Sequence, residues 1–199
     1  FSGIEIDRTT APRGAEVHLT ITDGQLNIDP TAEETVIFNY STGAVKYAAT
    51  GNTDMSTANG CDDNCTLLLD FATNTVTVLE KTNTDDDPSG GAANELIFTE
   101  SSSNSGVWSN TDDNDDASLN ILTTATRGTT ATIDYNDSAQ SLVVGHDFAT
   151  IDMDVTSVGD EWNSGESMTI ILNDQDLNLN TASDEALSLS GGTLVPSLQ

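Results

Sequence analysis

The segment Gly14-Ala-Glu16-Val17-His18-Leu19-Thr20-Ile21-Thr22-Asp23-Gly-Gln-Leu26-Asn27-Ile28-Asp29 alternates apolar and polar residues before it breaks into a polar turn. Val17, Leu19 and Ile21 point one way along an extended chain, and His18 and Thr20 point the other. That is the pattern of a strand with one buried face. The stretch returns, without a gap, at an offset of 151 positions: Gly165-Glu-Ser-Met168-Thr-Ile170-Ile-Leu172-Asn-Asp174-Gln-Asp176-Leu177-Asn178-Leu179-Asn180. The Asp-x-x-Leu-Asn tail matches, and Leu26 and Leu177 read as core plugs. Acidic pairs follow in both copies, Glu33-Glu34 and Asp184-Glu185. A period of this size marks tandem modules, and tandem arrays serve reach, display or assembly more often than chemistry.

Strand patterning extends outward from this segment. Candidate strands lie at Ile4–Asp7, Thr35–Tyr40, Ala44–Tyr47, Thr66–Phe71, Thr75–Glu80, Glu95–Thr99, Gly106–Asn110, Ala117–Leu122, Thr130–Tyr135, Ser141–Val144 and Ala149–Val155. Glu166–Asn173 and Ala186–Ser190 follow. Many short strands separated by Gly, Asn, Asp and Pro indicate an all-β chain folded as a β-sandwich. Long acidic loops at residues 50–65, 83–94 and 110–116 interrupt it. Ile4-Glu-Ile-Asp7 resembles Ile151-Asp-Met-Asp154, so each module opens on the same strand. Residues 1–155 are therefore expected to form one sandwich module, and residues 156–199 the start of a second, incomplete one. About 45 residues of half a sandwich bury little core, so that part should pack on the first module or on further sequence.

Composition narrows the partners. The chain holds 33 Asp and Glu against 5 Lys and Arg, for a formal net charge of −28 over 199 residues. Such a polyanion repels nucleic acid and anionic lipid and attracts cations. No apolar stretch is long enough to cross a membrane, so direct membrane insertion is not expected. No signal peptide is present, which reads as a mature product or an excised fragment. The two cysteines, Cys61 and Cys65, are too few for a zinc site and have no cationic neighbour to activate a thiol. A local disulfide in an oxidising, extracellular setting is the reading they support. Sequons at Asn39, Asn64 and Asn136 fit glycosylation in that setting.

Two groups of oxygen-bearing side chains are candidates for calcium or magnesium, which take hard oxygen ligands. Asp112, Asn114 and Asp116 sit at alternate positions of Asp112-Asp-Asn-Asp-Asp116, a spacing similar to half of an EF-hand loop. The glycine and distal glutamate of that loop are missing, and a solvated turn is the competing reading. Asp23, Asn27 and Asp29 recur as Asp174, Asn178 and Asn180, with Asp176 added in the second copy. A divalent site between neighbouring modules competes there with ordinary turn chemistry of Asp and Asn. Catalysis finds no support: no nucleophile elbow surrounds a serine, and no carboxylate pair stands out among so many. The chain is expected not to be an enzyme. His18 reads as an exposed mid-strand histidine, and Trp108 and Trp162 as core or edge residues more readily than sugar platforms.

Three segments resemble surface-layer (S-layer) proteins of ammonia-oxidising archaea. They are Ala11–Thr35, with Glu-Val-His-Leu-Thr-Ile-Thr-Asp at its centre; Leu96-Ile-Phe-Thr-Glu100-Ser-Ser-Ser-Asn104-Ser-Gly106-Val-Trp108; and Thr132-Ile-Asp-Tyr135-Asn-Asp137-Ser-Ala139-Gln-Ser. They fall in the family's order across most of residues 4–155; Trp108 stands where the family usually has Phe, and the Cys61–Cys65 loop has no place in its pattern. The resemblance implies tandem immunoglobulin-like modules and self-association into a glycosylated, cation-dependent extracellular lattice. It also implies an acidic coat that draws ammonium and other cations to the cell surface. A secreted adhesin or carbohydrate-binding β-sandwich using a tryptophan is the alternative, and a hydrolase domain of a secreted multidomain enzyme is a third.

Overall fold

The computed structural model describes residues 3–39, 45–47, 65–71, 78–82, 95–154, 156 and 163–186. These residues are all-β apart from two short 3-10 turns, the helical Thr156 and connecting turns and bends. Numbered in chain order, the strands of one six-stranded antiparallel sheet run β1 (Gly3–Ile6), β3 (Leu19–Thr22), β9 (Val107–Ser109), β8 (Glu95–Glu100), β4 (Thr35–Asn39) and β5 (Val45–Tyr47). A four-stranded sheet holds β2 (Thr10–Ala11), β12 (Ser138–Val144), β11 (Thr130–Tyr135) and β6 (Leu67–Phe71). Its β2–β12 pair is parallel. Two-stranded ladders join β10 (Leu119–Ile121) to β7 (Leu79–Lys81), and β13 (Thr150–Met153) to β14 (Ile170–Asn173).

Alternation explains how the two larger sheets share a core. In β11, Ala131, Ile133 and Tyr135 are buried while the intervening residues are half-buried. In β3, Leu19 and Ile21 are buried, and Val17 just before it is too. With Val36, Phe38, Leu96, Phe98 and Trp108 from the six-stranded sheet, these side chains form one cluster, as in a β-sandwich. Phe38 meets Phe98 and Tyr135 edge to face, with ring centroids 5.5 and 5.8 Å apart. Among the described residues, no member of the cluster lies beyond Val144, so the described part of residues 3–144 carries a core of its own. The β11–β12 hairpin turns on Asn136 and Asp137, both at positive φ (51° and 61°), as a tight two-residue hairpin turn requires.

The repeat read in the sequence is a repeat of structure. β1 pairs with β3 so that Ile4 faces Ile21 and Ile6 faces Leu19. β13 pairs with β14 so that Ile151 faces Leu172 and Met153 faces Ile170, the equivalent partners. The connection is 7–18 in the first copy and 154–169 in the second, four residues longer. Each hairpin runs into a 3-10 turn, Gly24–Leu26 or Gln175–Leu177. The environments differ sharply. Ile4, Leu19 and Ile21 are 0–3% exposed, whereas Ile151, Met153, Ile170 and Leu172 are 44–55% exposed. The second hairpin thus presents to solvent the apolar face that its counterpart buries.

Candidate functional site

The repeated turn is built by carboxylates bonded to backbone. Asp23 is extended (φ −156°), and its side chain caps the 3-10 turn by accepting from the Gln25 N–H at 2.8 Å. Asp174 does the same for Asp176 N–H at 3.0 Å. Glu34 reaches back to accept from the Ile28 and Asp29 amides at 2.8 and 3.2 Å. Its counterpart Glu185 accepts from the Leu179 and Asn180 amides at 2.9 and 3.2 Å. One member of each acidic pair is therefore a structural clamp. Asp29 accepts from Thr31 Oγ1 and N at 2.6 and 3.0 Å, and these bonds hold its carboxyl below the ordinary carboxylate range. Asn180 accepts from the Ala182 amide in the matching place.

Asp23 is also a core residue, 2% exposed. Its Oδ2 accepts from the Tyr135 hydroxyl at 2.7 Å and from Asn136 Nδ2 at 3.5 Å. Its carbonyl accepts from the Trp108 indole at 3.1 Å. The close approach of Gly106 to this turn explains why a glycine stands there: φ is +61°, and a Cβ would lie 3.1 Å from the Gly24 Cα. Trp108 is wholly buried, so it offers no platform to a sugar.

The Asp112–Asp116 run is a compact turn. Asp112, 8% exposed, accepts from the Asn114 and Asp116 amides, both at 2.9 Å. Asp115 takes positive φ (64°), while Asp113, Asn114, Asp115 and Asp116 face solvent. Asp176 accepts from the Asp147 amide at 3.0 Å. The candidate ligands thus fall in three turns, 23–29, 112–116 and 174–180, and many of their oxygens already serve N–H groups. Among the described residues, no group of three or more His, Cys, Asp or Glu side chains converges as a metal site. Two oxygens near the first copy of the turn do lack a hydrogen-bond partner. They are Asn27 Oδ1 and Glu100 Oε2, on side chains joined by an Asn27 Nδ2–Glu100 Oε1 bond of 3.1 Å. Glu100 is 2% exposed on the core side of β8; its Oε1 also accepts from Gly106 N–H at 2.9 Å and Ser105 Oγ at 3.4 Å. Two oxygens fall short of the six to eight that calcium takes, so water would have to supply the rest.

The second copy of the turn is docked against residues 7–18 and Asp115. Arg8 donates through Nη1 to the Asn178 carbonyl at 2.7 Å and through Nη2 to the Leu179 carbonyl at 2.8 Å. The Glu16 amide donates to the same Leu179 carbonyl at 2.7 Å. Asn180, 6% exposed, donates to the Asp115 carbonyl at 2.7 Å. Its Oδ1 lies 3.0 Å from His18 Nε2, whose other ring nitrogen meets Thr111 Oγ1 at 2.8 Å. Thr181 Oγ1 donates to Asp7 at 2.6 Å. His18 is therefore an interface residue and not the exposed histidine that its place in the alternation suggested. Glu16 sits beneath the same junction. Burial raises its carboxyl pKa from the ordinary 4.5, Asp116 and Asp112 add to the rise, and the Ala117 amide and His18 oppose it.

The remaining candidates are dispersed. Cys65 is disulfide-bonded; Cys61, the only other cysteine of the chain, lies outside the described residues, as do Asn64 and Trp162. Asn39 ends β4, half-buried opposite Glu95. Asn136 uses both ends of its amide, accepting from Thr66 N at 2.9 Å and donating towards Asp23. No helix among the described residues is long and apolar enough to cross a membrane. The chain matches no protein-family model and no curated protein.

Proposed function

We propose that the chain is a structural segment of an extracellular surface-layer protein, made of tandem immunoglobulin-like modules that self-associate into an acidic lattice. The observation that carries this reading is the junction. A second copy of the hairpin and turn follows the first and is clamped to it through Arg8, Glu16 and His18. A module that receives the equivalent turn of the next is the unit of an array. The exposed apolar face of β13–β14 points the same way, because its counterpart is covered by the opposite sheet. Further modules of the same repeat are the partners this face fits.

In this reading the net charge of −28 makes the coat a reservoir for cations, ammonium among them, within a Debye length of about 8 Å at physiological ionic strength. Calcium or magnesium is assigned the role of relieving self-repulsion. Asn27 with Glu100, and the exposed Asp113, Asp115 and Asp116, are the oxygens on offer. No catalytic role is assigned. An adhesin reading is weaker, because Trp108 is inside the core.

Assembly tests the proposal. Purified chain concentrated with calcium or magnesium should form ordered sheets visible by negative-stain electron microscopy, and a chelator should dissolve them. Monodisperse protein under both conditions would overturn the lattice reading, and sheets indifferent to the chelator would overturn the cation part.

A further inference from the structure

We infer that the turn Asn27–Thr31 is a docking edge for a preceding module of the same repeat, received as Asn178–Ala182 is received by the first module. The inference deepens the tandem-module reading and rests on it. Its basis is that one chain shows the same turn in both situations. The two turns share a 3-10 segment, an aspartate cap, an asparagine after the turn and a glutamate clamp holding two amides. In the second copy the Leu179 carbonyl points outward and is taken by Arg8 and by the Glu16 amide. In the first copy the corresponding residue is Ile28, 52% exposed, and Asp29 stands in the place of Asn180. Asp29 is exposed, whereas Asn180 is 6% exposed against Asp115 and His18. The donor side of this contact, Arg8 with the Glu16 amide, is occupied within the chain. The acceptor side at Ile28 is left for another module.

The contact is heterologous, so it propagates head to tail and does not close on itself. The occupant is defined by its chemistry: an arginine and a strand-edge amide for the Ile28 carbonyl, and a donor such as histidine for Asp29. Asp29 in the place of Asn180 changes the contact. The Asn180 Nδ2 bond to the Asp115 carbonyl has no counterpart, because a carboxylate brings no N–H there. Docking through Asp29 is thus weaker by one hydrogen bond unless the receiving module supplies a donor at that position.

A tandem chain tests this. Residues 1–150 are joined directly to residue 4 of a full chain, since Ile151 is the structural counterpart of Ile4. The leading module has a self-contained core, so it is expected to fold. Amide hydrogen exchange is read by NMR at Glu16 and Val17 of the leading copy. Val17 donates within the module, to Leu119, and Glu16 donates across the junction. The expected result is protection at both, with Glu16 within about tenfold of its value in the single chain. Asp29→Asn in the following copy should raise Glu16 protection about fivefold. Ile28→Pro there should abolish it, because the Ile28 amide bonded to Glu34 is lost. Protection at Val17 with an open Glu16 overturns the inference, as does loss of both or indifference to Ile28→Pro. Sheet formation by the single chain is a separate readout, so a failed docking edge leaves the lattice proposal standing, and a failed lattice leaves the docking edge.

Discussion

Arg8→Ala should free the Asn178–Ala182 turn while leaving the first module folded. The two guanidinium bonds that cross the junction measure 2.7 and 2.8 Å, and the Arg8 side chain is only 15% exposed. Hydrogen bonds from a charged donor contribute about 1.5–3 kcal/mol each. Bonds from the Glu16 amide, Asn180 and Thr181 remain, and the released carbonyls regain water, so the net loss is set at about 3 kcal/mol for the pair. That corresponds to roughly 100-fold more frequent opening of the junction. Amide exchange at Glu16 reads it directly, because that N–H is covered only by the Leu179 carbonyl across the junction. Its protection should fall by about that factor, while core amides such as Ile133 keep theirs. Arg8→Lys should behave nearly as badly, since an ammonium does not fork to two carbonyls as guanidinium does. Unchanged Glu16 exchange in Arg8→Ala would refute the clamp. Equal losses at Glu16 and Ile133 would refute the separateness of junction and core.

Other consequences can be measured by denaturant unfolding. Trp108→Ala should lose about 3–5 kcal/mol, as for a wholly buried aromatic; a sugar-facing tryptophan would leave stability unchanged. Asp23→Ala should lose about 2–4 kcal/mol, because it removes a cap and the acceptor of the buried Tyr135 hydroxyl bond. Asp174→Ala removes only the matching cap, on the solvent-exposed hairpin, and should leave the main transition of the first module in place. Glu16 has a raised pKa, so the folded state binds its proton more tightly than the unfolded chain does. Its contribution should therefore diminish stability as pH rises from 4.5 through the raised value, and Glu16→Gln should flatten that part of the profile. A Gln variant with the wild-type slope would show that Glu16 is not its source.

The features that the sequence exposed are those with short-range signatures. Alternation in Val17, Leu19 and Ile21 marked a buried face, and the 151-residue offset marked a second copy that pairs its strands in the same register. The features it concealed depend on residues distant along the chain. Arg8 meets Asn178 across 170 positions, and Asp23 meets Tyr135 across 112. No periodicity announces either contact. Glu100 shares a face with Leu96 and Phe98, where a carboxylate contradicts the apolar pattern, so its burial was not readable. β2 is two residues long and pairs in parallel, too short for any alternation to show. The acidic turns read equally as ligand sets and as turns, because capping and chelation draw on the same Asp and Asn oxygens; the N–H partners of Asp23, Asp29 and Asp112 show the capping use.

The surface-layer assignment is tested most directly by immunogold electron microscopy on intact source cells, with antibodies raised against the folded first module. Dense gold is expected over the entire outer surface, spaced by a two-dimensional lattice and removed when the coat is stripped with chelator. Label confined to the cytoplasm, or scattered sparsely over the surface without lattice order, would contradict it.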